Sequence, residues 1–334
     1  MENKINFELY SFYNLARYLF LKLEYTHNLD IEEHGLTLPQ LRVLWILKCF
    51  PGISQENISK IGCWSPPTVS SIIKLLMQKG YIYNEETINK KTYNLKLTTL
   101  GENKLSDVKI TRTSSAAILK LLNQISYDDI NLLVKTLKKL IISGENNYVP
   151  EYIDKLNQYE LKFDFNEFNF SDSNYIKTLT TVYNLLRIFV LTVERKHSNM
   201  LANVGLTYPQ LRALNIIKAF PGINSAELST LGFWSRSTAN LIVNNLHKKG
   251  FLLKERGNIK NSINLFVTST GESILSYDIK NNLRNIDMLN TLKANTYENL
   301  VYINSILYKM NLLVGNDIID IFINKTYESI NNNP

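Results

Sequence analysis

The chain is written twice in a single register. Gly35-Leu36-Thr37-Leu38-Pro39-Gln40-Leu41-Arg42 returns as Gly205-Leu206-Thr207-Tyr208-Pro209-Gln210-Leu211-Arg212, an offset of 170 residues. Phe50-Pro51-Gly52-Ile53 returns as Phe220-Pro221-Gly222-Ile223, and Gly62-Cys63-Trp64-Ser65 as Gly232-Phe233-Trp234-Ser235. Lys79-Gly80 and Thr98-Thr99-Leu100-Gly101-Glu102 recur at the same offset as Lys249-Gly250 and Thr268-Ser269-Thr270-Gly271-Glu272. From Gly35 to Leu105 roughly 30 of about 70 positions are identical, without insertion or deletion. A solenoid unit is about 20–50 residues long and leans on its neighbours. A period of 170 residues is the size of a whole domain, so the expected molecule is a fused dimer.

The repeat reaches beyond this stretch. Tyr13-Asn14-Leu15 and Arg17 match Tyr183-Asn184-Leu185 and Arg187, and Glu24 and His27 match Glu194 and His197. Near the ends, Tyr152-Ile153-Asp154-Lys155 is similar to Phe322-Ile323-Asn324-Lys325. With 334 residues, each copy has enough chain to bury its own core. Hydrophobic content of 45% and charged content of 20% fit a globular chain rather than a disordered one. Apolar runs such as Leu119 to Leu122 stop well short of the ~18 residues a membrane span needs. The first eight residues lack the apolar stretch of a secretory signal, and the expected location is cytoplasmic. Cys49 and Cys63, replaced by Ala219 and Phe233 in the second copy, read as buried structural thiols.

Charge divides the chain into three. Residues 1–143 carry about +5, residues 144–174 about −5, and residues 175–334 about +7. Two basic bodies about an acidic connector point to a polyanion partner for the bodies. These boundaries are the expected domains.

Each copy has the same local grammar. Phe12, Leu15, Ala16, Leu19, Phe20 and Leu23 recur at helical spacing, as do Val182, Leu185, Leu186, Phe189, Val190 and Val193. A second helix runs from Pro39 to Phe50, with Thr37 as N-cap and Pro51-Gly52 as stop. Ser54 caps a short helix ended by Gly62; Ser65 caps a longer one, Pro66 to Lys79, ended by Gly80. Asn224 and Ser235 take these cap positions in the second copy. The period then changes: Tyr81–Tyr83 with Tyr93–Leu97, and Phe251–Leu253 with Ile263–Val267, read as two-stranded hairpins with polar tips. Long helical patterns follow, through Leu133, Leu137 and Leu140 in one copy and Ile303, Leu307 and Met310 in the other. The expected fold class is mainly α with small β wings: two tandem winged helix-turn-helix domains with a shared helical dimerisation-like core.

Gly-Leu-Thr-x-Pro-Gln-Leu-Arg, Pro-Gly-Ile, Ser-x-x-Thr, Lys-Gly and Thr-x-x-Gly-Glu, in this order and twice over, resemble the MarR group of bacterial transcription regulators. The tandem form is similar to two-domain members of the related Sar group. The resemblance implies duplex DNA as partner and a small-molecule effector, whose identity the residues do not specify. The family's wing carries Asp-Arg-Arg. Here the matching triplets are Asn89-Lys90-Lys91 and Ile259-Lys260-Asn261, which favours phosphate contact over minor-groove arginine reading.

A helix-turn-helix lays its second helix in the major groove, where base edges differ in donors and acceptors. On Pro66–Lys79 the inward stripe is Val69, Ile72, Ile73 and Leu76, which leaves Pro67, Ser70, Ser71 and Lys74 outward. The second copy offers Arg236, Ser237, Asn240 and Asn244, where arginine suits guanine and asparagine suits adenine. Ser65 and Thr68, with Ser235 and Thr238, complete the two helix starts; Lys90 and Lys91, and Arg256 and Lys260, stand at the wings. Solvated helix faces and turns are the plain alternative for each of these residues. No phosphate loop, nucleophile elbow or metal-spaced cluster is present, and the chain reads as a non-enzyme without cofactor. Arg17, Arg187, His27 and His197 lie where an effector pocket would form, or else satisfy buried carbonyls and carboxylates. The connector, rich in Tyr and Phe, is expected to form a helix near 150–161 and then an extended crossing. As a partner-binding strip, it supports a rival reading: a regulatory protein-interaction module that has lost DNA binding.

Overall fold

The computed structural model describes residues 2–85, 94–108, 116–122, 124–143, 148–159, 170–201, 204–257, 263–281, 291–292 and 296–331. Among the described residues the chain is mainly helical with two small antiparallel hairpins, as in a winged-helix fold. In the first copy α1 is Glu2–Glu33, α2 Leu38–Cys49, α3 Gln55–Gly62 and α4 Pro66–Gln78. The hairpin β1 (Ile82–Asn84) and β2 (Leu95–Leu97) follows, then α5 (Thr99–Asp107), α6 (Ala116–Leu121), α7 (Tyr127–Ser143) and α8 (Tyr148–Leu156). The succession recurs as α9 (Phe170–Leu201), α10 (Tyr208–Ala219), α11 (Ser225–Gly232) and α12 (Arg236–Lys248). It ends with β3 (Leu252–Arg256), β4 (Ile263–Val267), α13 (Ser269–Asn281), α14 (Tyr297–Leu313) and α15 (Ile319–Asn331).

The repeated motifs each perform an identifiable structural task. In Thr-x-Pro-Gln, Thr37 caps α2: its Oγ1 accepts from Gln40 N at 3.4 Å, and Gln40 Oε1 accepts from Thr37 N at 3.1 Å. Thr207 and Gln210 repeat this capping box at 3.4 and 3.1 Å. Proline in the first turn costs no hydrogen bond, because that N–H has no partner inside the helix. Pro-Gly then stops the helix and hooks the chain to the hairpin, with Gly52 N donating to Leu95 O at 2.8 Å and Gly222 N to Leu265 O at 3.0 Å. Lys79 of Lys-Gly reaches back to Gly35 O at 2.8 Å, and Lys249 does the same to Gly205 O. Thr98 caps α5 through Gly101 N at 3.1 Å and donates to Gly80 O at 2.6 Å; Thr268 gives 3.1 and 2.7 Å.

Gly62 ends α3 as its last helical residue, and Cys63 (φ 52°) takes the left-handed position that follows, as Phe233 (φ 54°) does after Gly232. The glycine is required for closeness: a Cβ at Gly62 would lie 2.0 Å from the Trp64 ring, and at Gly232 2.1 Å from Trp234. Cys63 is also partly exposed, whereas Cys49 is buried, so only one thiol fits the core reading.

The described chain separates into two compact units that each draw on both copies. The first comprises Leu15–Thr192 and Tyr302–Asn316; the second comprises Met1–Asn14, Val193–Val301 and Asp317–Pro334. In the first unit, Asn311 Nδ2 of α14 donates to Leu15 O at 2.9 Å, and Asn316 Nδ2 to Tyr18 O at 3.3 Å. Tyr302 donates to Asp129 at 2.5 Å, and the Tyr175 hydroxyl lies 2.5 Å from Ile125 O. In the second unit, Tyr10 donates to Thr326 at 2.6 Å and Phe7 meets Tyr327 edge-on at 4.8 Å. Residues Ser173–Asn199 of α9 are long and apolar enough to cross a membrane, but 67% of that window is buried in protein. Burial in a core accounts for its composition.

The helix expected near 150–161 is α8, which begins and ends earlier and packs on α2 and α3. Its Val149, Tyr152 and Ile153 are buried, and the Lys155 ammonium sits 4.0 Å above the Phe50 ring. In the second unit α15 packs on α10 in the same way, with Lys325 4.8 Å from Phe220. The described aromatic residues of the connector thus include core groups. The expected extended crossing lies outside the described residues.

Candidate nucleic-acid interface

Both candidate recognition helices are built alike. Ser65 caps α4 with its Oγ 3.4 Å from Thr68 N, and Ser235 caps α12 at 3.1 Å from Thr238 N. Val69, Ile72, Ile73 and Leu76 of α4 are buried, as are Ala239, Ile242, Val243 and Leu246 of α12. The outward residues expected from the sequence are all exposed: Ser65, Pro67, Thr68, Ser70, Ser71 and Lys74 in one copy, Ser235, Arg236, Ser237, Thr238, Asn240 and Asn244 in the other. Position for position the burial of the two helices is identical. An amphipathic helix with its apolar stripe satisfied leaves the opposite face free for a partner.

Not every hydroxyl on these faces is free to read a base. Ser65 and Thr68 bond each other at 2.7 Å; Ser235 lies 2.8 Å from both Ser237 and Thr238. Ser71 spends its proton on Pro67 O at 3.0 Å. Arg236 of α12 is exposed, and Arg256 stands exposed at the end of β3. Lys90, Lys91 and Lys260 lie outside the described residues. The sequence reading passed over Leu241, which is 61% exposed on α12 where the first copy has Ser71. Its signal was available, because it falls off the 239, 242, 243, 246 stripe. An exposed leucine there suits a thymine methyl group.

Behind α4, a buried ionic cluster anchors the turn. Arg42 Nη1 donates to Glu24 Oε1 at 2.8 Å, Nη2 bonds Glu24 Oε2 and the Tyr183 hydroxyl, and Tyr183 donates to Glu24 Oε2 at 2.5 Å. Burial alone would raise the Glu24 carboxyl, but the Arg42 guanidinium more than reverses this and holds it at about 2. Burial pushes the Tyr183 phenol well up, which keeps it a donor. Arg187, one helical turn beyond Tyr183, donates from Nη2 to Gly62 O at 2.6 Å and lies 5.2 Å from the Trp64 ring. Arg187 therefore satisfies a buried carbonyl at the turn before α4. In the second unit the same carbonyl is met from within the copy: Arg212 Nη2 donates to Gly232 O at 3.4 Å and lies 4.9 Å from Trp234. There Tyr208, in place of Leu38, shares a 2.6 Å hydrogen bond with Tyr13.

His27 lies beside this cluster, 5.7 Å from the Tyr183 ring. Burial, then the Arg42 cation, lowers its pKa to about 4. A histidine depressed in the folded state costs nothing above its unfolded value near 6.5. Below that, the unfolded chain gains a proton that the native state refuses, so stability falls until about pH 4. Between pH 6.5 and 4 we expect a loss of about 1–2 kcal/mol that His27→Gln removes, since the ring keeps some solvent access. Urea titrations at both pH values on the two proteins check this; an equal loss in His27→Gln would assign the slope to other groups.

Residues 36–87 match the model of the MarR family, a stretch that contains α2, α3, α4 and β1. These residues thus carry a MarR family domain, and the match falls within the first copy. A solved structure, the multiple antibiotic-resistance repressor (MarR) from Listeria monocytogenes 4b F2365, is 25% identical, covering 41% of this chain and 94% of its own, with a TM-score of 0.30. No curated protein matches the chain. The MarR family consists in general of DNA-binding transcription regulators without enzymatic activity.

Proposed function

We propose that the chain is a sequence-specific regulator of transcription that binds double-stranded DNA as an intramolecular pseudo-dimer, with two tandem winged helix-turn-helix domains and a cytoplasmic location. The observation that carries this reading is the contrast between inside and outside. The residues shared by the copies cap helices, hook loops and fill cores, while the exposed faces of two equally built helices differ: Pro67 against Ser237, Ser70 against Asn240, Ser71 against Leu241, Lys74 against Asn244. Drift at solvated positions would favour interchangeable polar residues. The second face instead gathers an arginine, two amides and an exposed leucine, the groups that suit base edges.

A homodimer presents two equal helices and favours a palindrome, whereas this chain calls for an asymmetric or imperfectly inverted operator with half-sites about 10 bp apart. Selection from a random duplex library with the full chain yields that operator. Replacing either half-site by an inverted copy of the other, which makes a perfect palindrome, should weaken binding about tenfold, and Arg236→Ala should relax base preference in one half-site only, at ~1–3 kcal/mol. Equal affinity for both palindromes and the selected operator overturns the asymmetry, and uniform loss in Arg236→Ala makes that residue a phosphate contact. Neutralised phosphates release counterions, so affinity should fall steeply with salt. Failure to bind any duplex at low salt returns the chain to the protein-interaction reading.

A further inference from the structure

Across the repeat, one lysine–asparagine pair is exchanged between helix and strand. The first copy has Lys74 on α4 and Asn84 on β1; the second has Asn244 on α12 and Lys254 on β3, at the same offset. The consequences differ. Asn84 turns its Oδ1 to its own hairpin, where it accepts from Asn94 N at 2.8 Å. Lys254 Nζ instead crosses to the recognition helix and donates to Asn244 Oδ1 at 2.6 Å. The strand start is held against that helix, since His247 Nδ1 lies 2.9 Å from Leu252 O. Burial alternates along β3, with Leu252 buried and Leu253 exposed, and Lys254, next in line, is only partly exposed.

We infer that Lys254 is a positioning residue that turns Asn244 into a hydrogen-bond donor toward the major groove, so that this position of the half-site selects guanine rather than adenine. This rests on the DNA-binding reading above. An asparagine reads adenine bidentately by accepting from N6 with its oxygen while donating to N7 with its amide. Here the ammonium takes one of the two lone pairs of the oxygen, and an adenine amino group approaching the other would meet a cation. The amide cannot flip, because its NH2 would then face the ammonium. What the pair favours toward a base is therefore donation, from the Asn244 amide hydrogens and the ammonium protons of Lys254 not spent on Oδ1. Guanine offers two acceptors, O6 and N7, on one edge; thymine offers one, and adenine opposes its own donor. The first copy, with Lys74 directly on the helix, makes no such selection through an amide.

The test uses the full chain and a random duplex library. Asn244→Ala identifies the column that depends on this residue, as the position whose preference it erases. In the wild type that column should favour guanine over adenine by at least tenfold. Lys254→Met keeps the aliphatic stem but removes the donor, and should shift the column toward adenine about tenfold with other columns unchanged. Lys254→Arg should restore guanine. A wild-type column that already favours adenine, or a Lys254→Met profile that keeps guanine while losing affinity uniformly, overturns the proposal and leaves Lys254 a phosphate contact. A wild type that enriches no sequence brings down the DNA-binding reading itself, and this proposal with it.

Discussion

Arg42→Met is expected to lower the stability of the first unit by about 3 kcal/mol, and Glu24→Gln combined with it to recover most of the loss. The guanidinium is the counter-charge for Glu24 and also a donor to Tyr183. Without it, a carboxylate largely shielded from water keeps the Tyr183 hydroxyl and the more distant Arg187 cation. The asymmetry is general: an intact buried pair stabilises little over an apolar substitute, but half of a pair is costly. The pH dependence has a definite sign. The Glu24 carboxyl is depressed to about 2, so its contribution is complete above the unfolded value near 4.5 and is lost as pH falls toward 2. In Arg42→Met, where burial is left to raise the carboxyl, this acid loss should disappear or reverse, because protonation then removes an uncompensated buried charge. Urea unfolding of the four members of the double-mutant cycle checks this. A double variant no more stable than Arg42→Met would show that Arg42 acts through packing rather than through Glu24. Because Arg187 contacts Gly62 O from the next turn after Tyr183, weaker binding at the half-site of the first copy should accompany the loss.

Gly101→Ala should cost about 2–3 kcal/mol, even though alanine favours a helix by ~1 kcal/mol over glycine. Gly101 lies in the first turn of α5, where a Cβ would fall 2.1 Å from Tyr81 O and 3.0 Å from Tyr81 C. The obstacle is backbone, so no side chain can rotate away. Relief requires α5 to part from the start of the wing, where Thr98 N donates to Tyr81 O at 3.0 Å. Gly35→Ala is the comparison: nothing lies within 4 Å of its Cβ position, and only its φ of 67° carries a cost, about 1 kcal/mol. Equal denaturation midpoints for the two variants would mean that the close approach at Gly101 is not what the residue serves.

How much could be read from the residues depends on the range of the force involved. Capping is local. Thr37, Ser54, Ser65 and Asn224 were legible as helix starts because a side-chain oxygen three positions ahead of an unpaired N–H needs no distant partner. The inward stripes of α4 and α12 were legible for a similar reason, since a period of 3.6 residues is written along the chain. Gly62 was legible as a helix end but not as a point of close approach, which depends on where the Trp64 ring lies, and Leu241 was not legible as outward from polarity alone. The pairing of Lys254 with Asn244 was not legible at all, because it depends on how the strand lies against the helix.

From the sequence alone came the repeat, the helix-turn-helix and wing order of each copy, and the faces turned to solvent, all products of local periodicity and capping. Tertiary structure alone decided that Arg187 of one copy supports the turn of the other, that α8 belongs to a core, and which polar groups on the candidate recognition helices are already engaged. Such contacts join residues up to 316 positions apart, as between Tyr10 and Thr326. Hydrogen bonds and ion pairs of this kind depend on ångström-scale approach in three dimensions, which no spacing along a chain encodes.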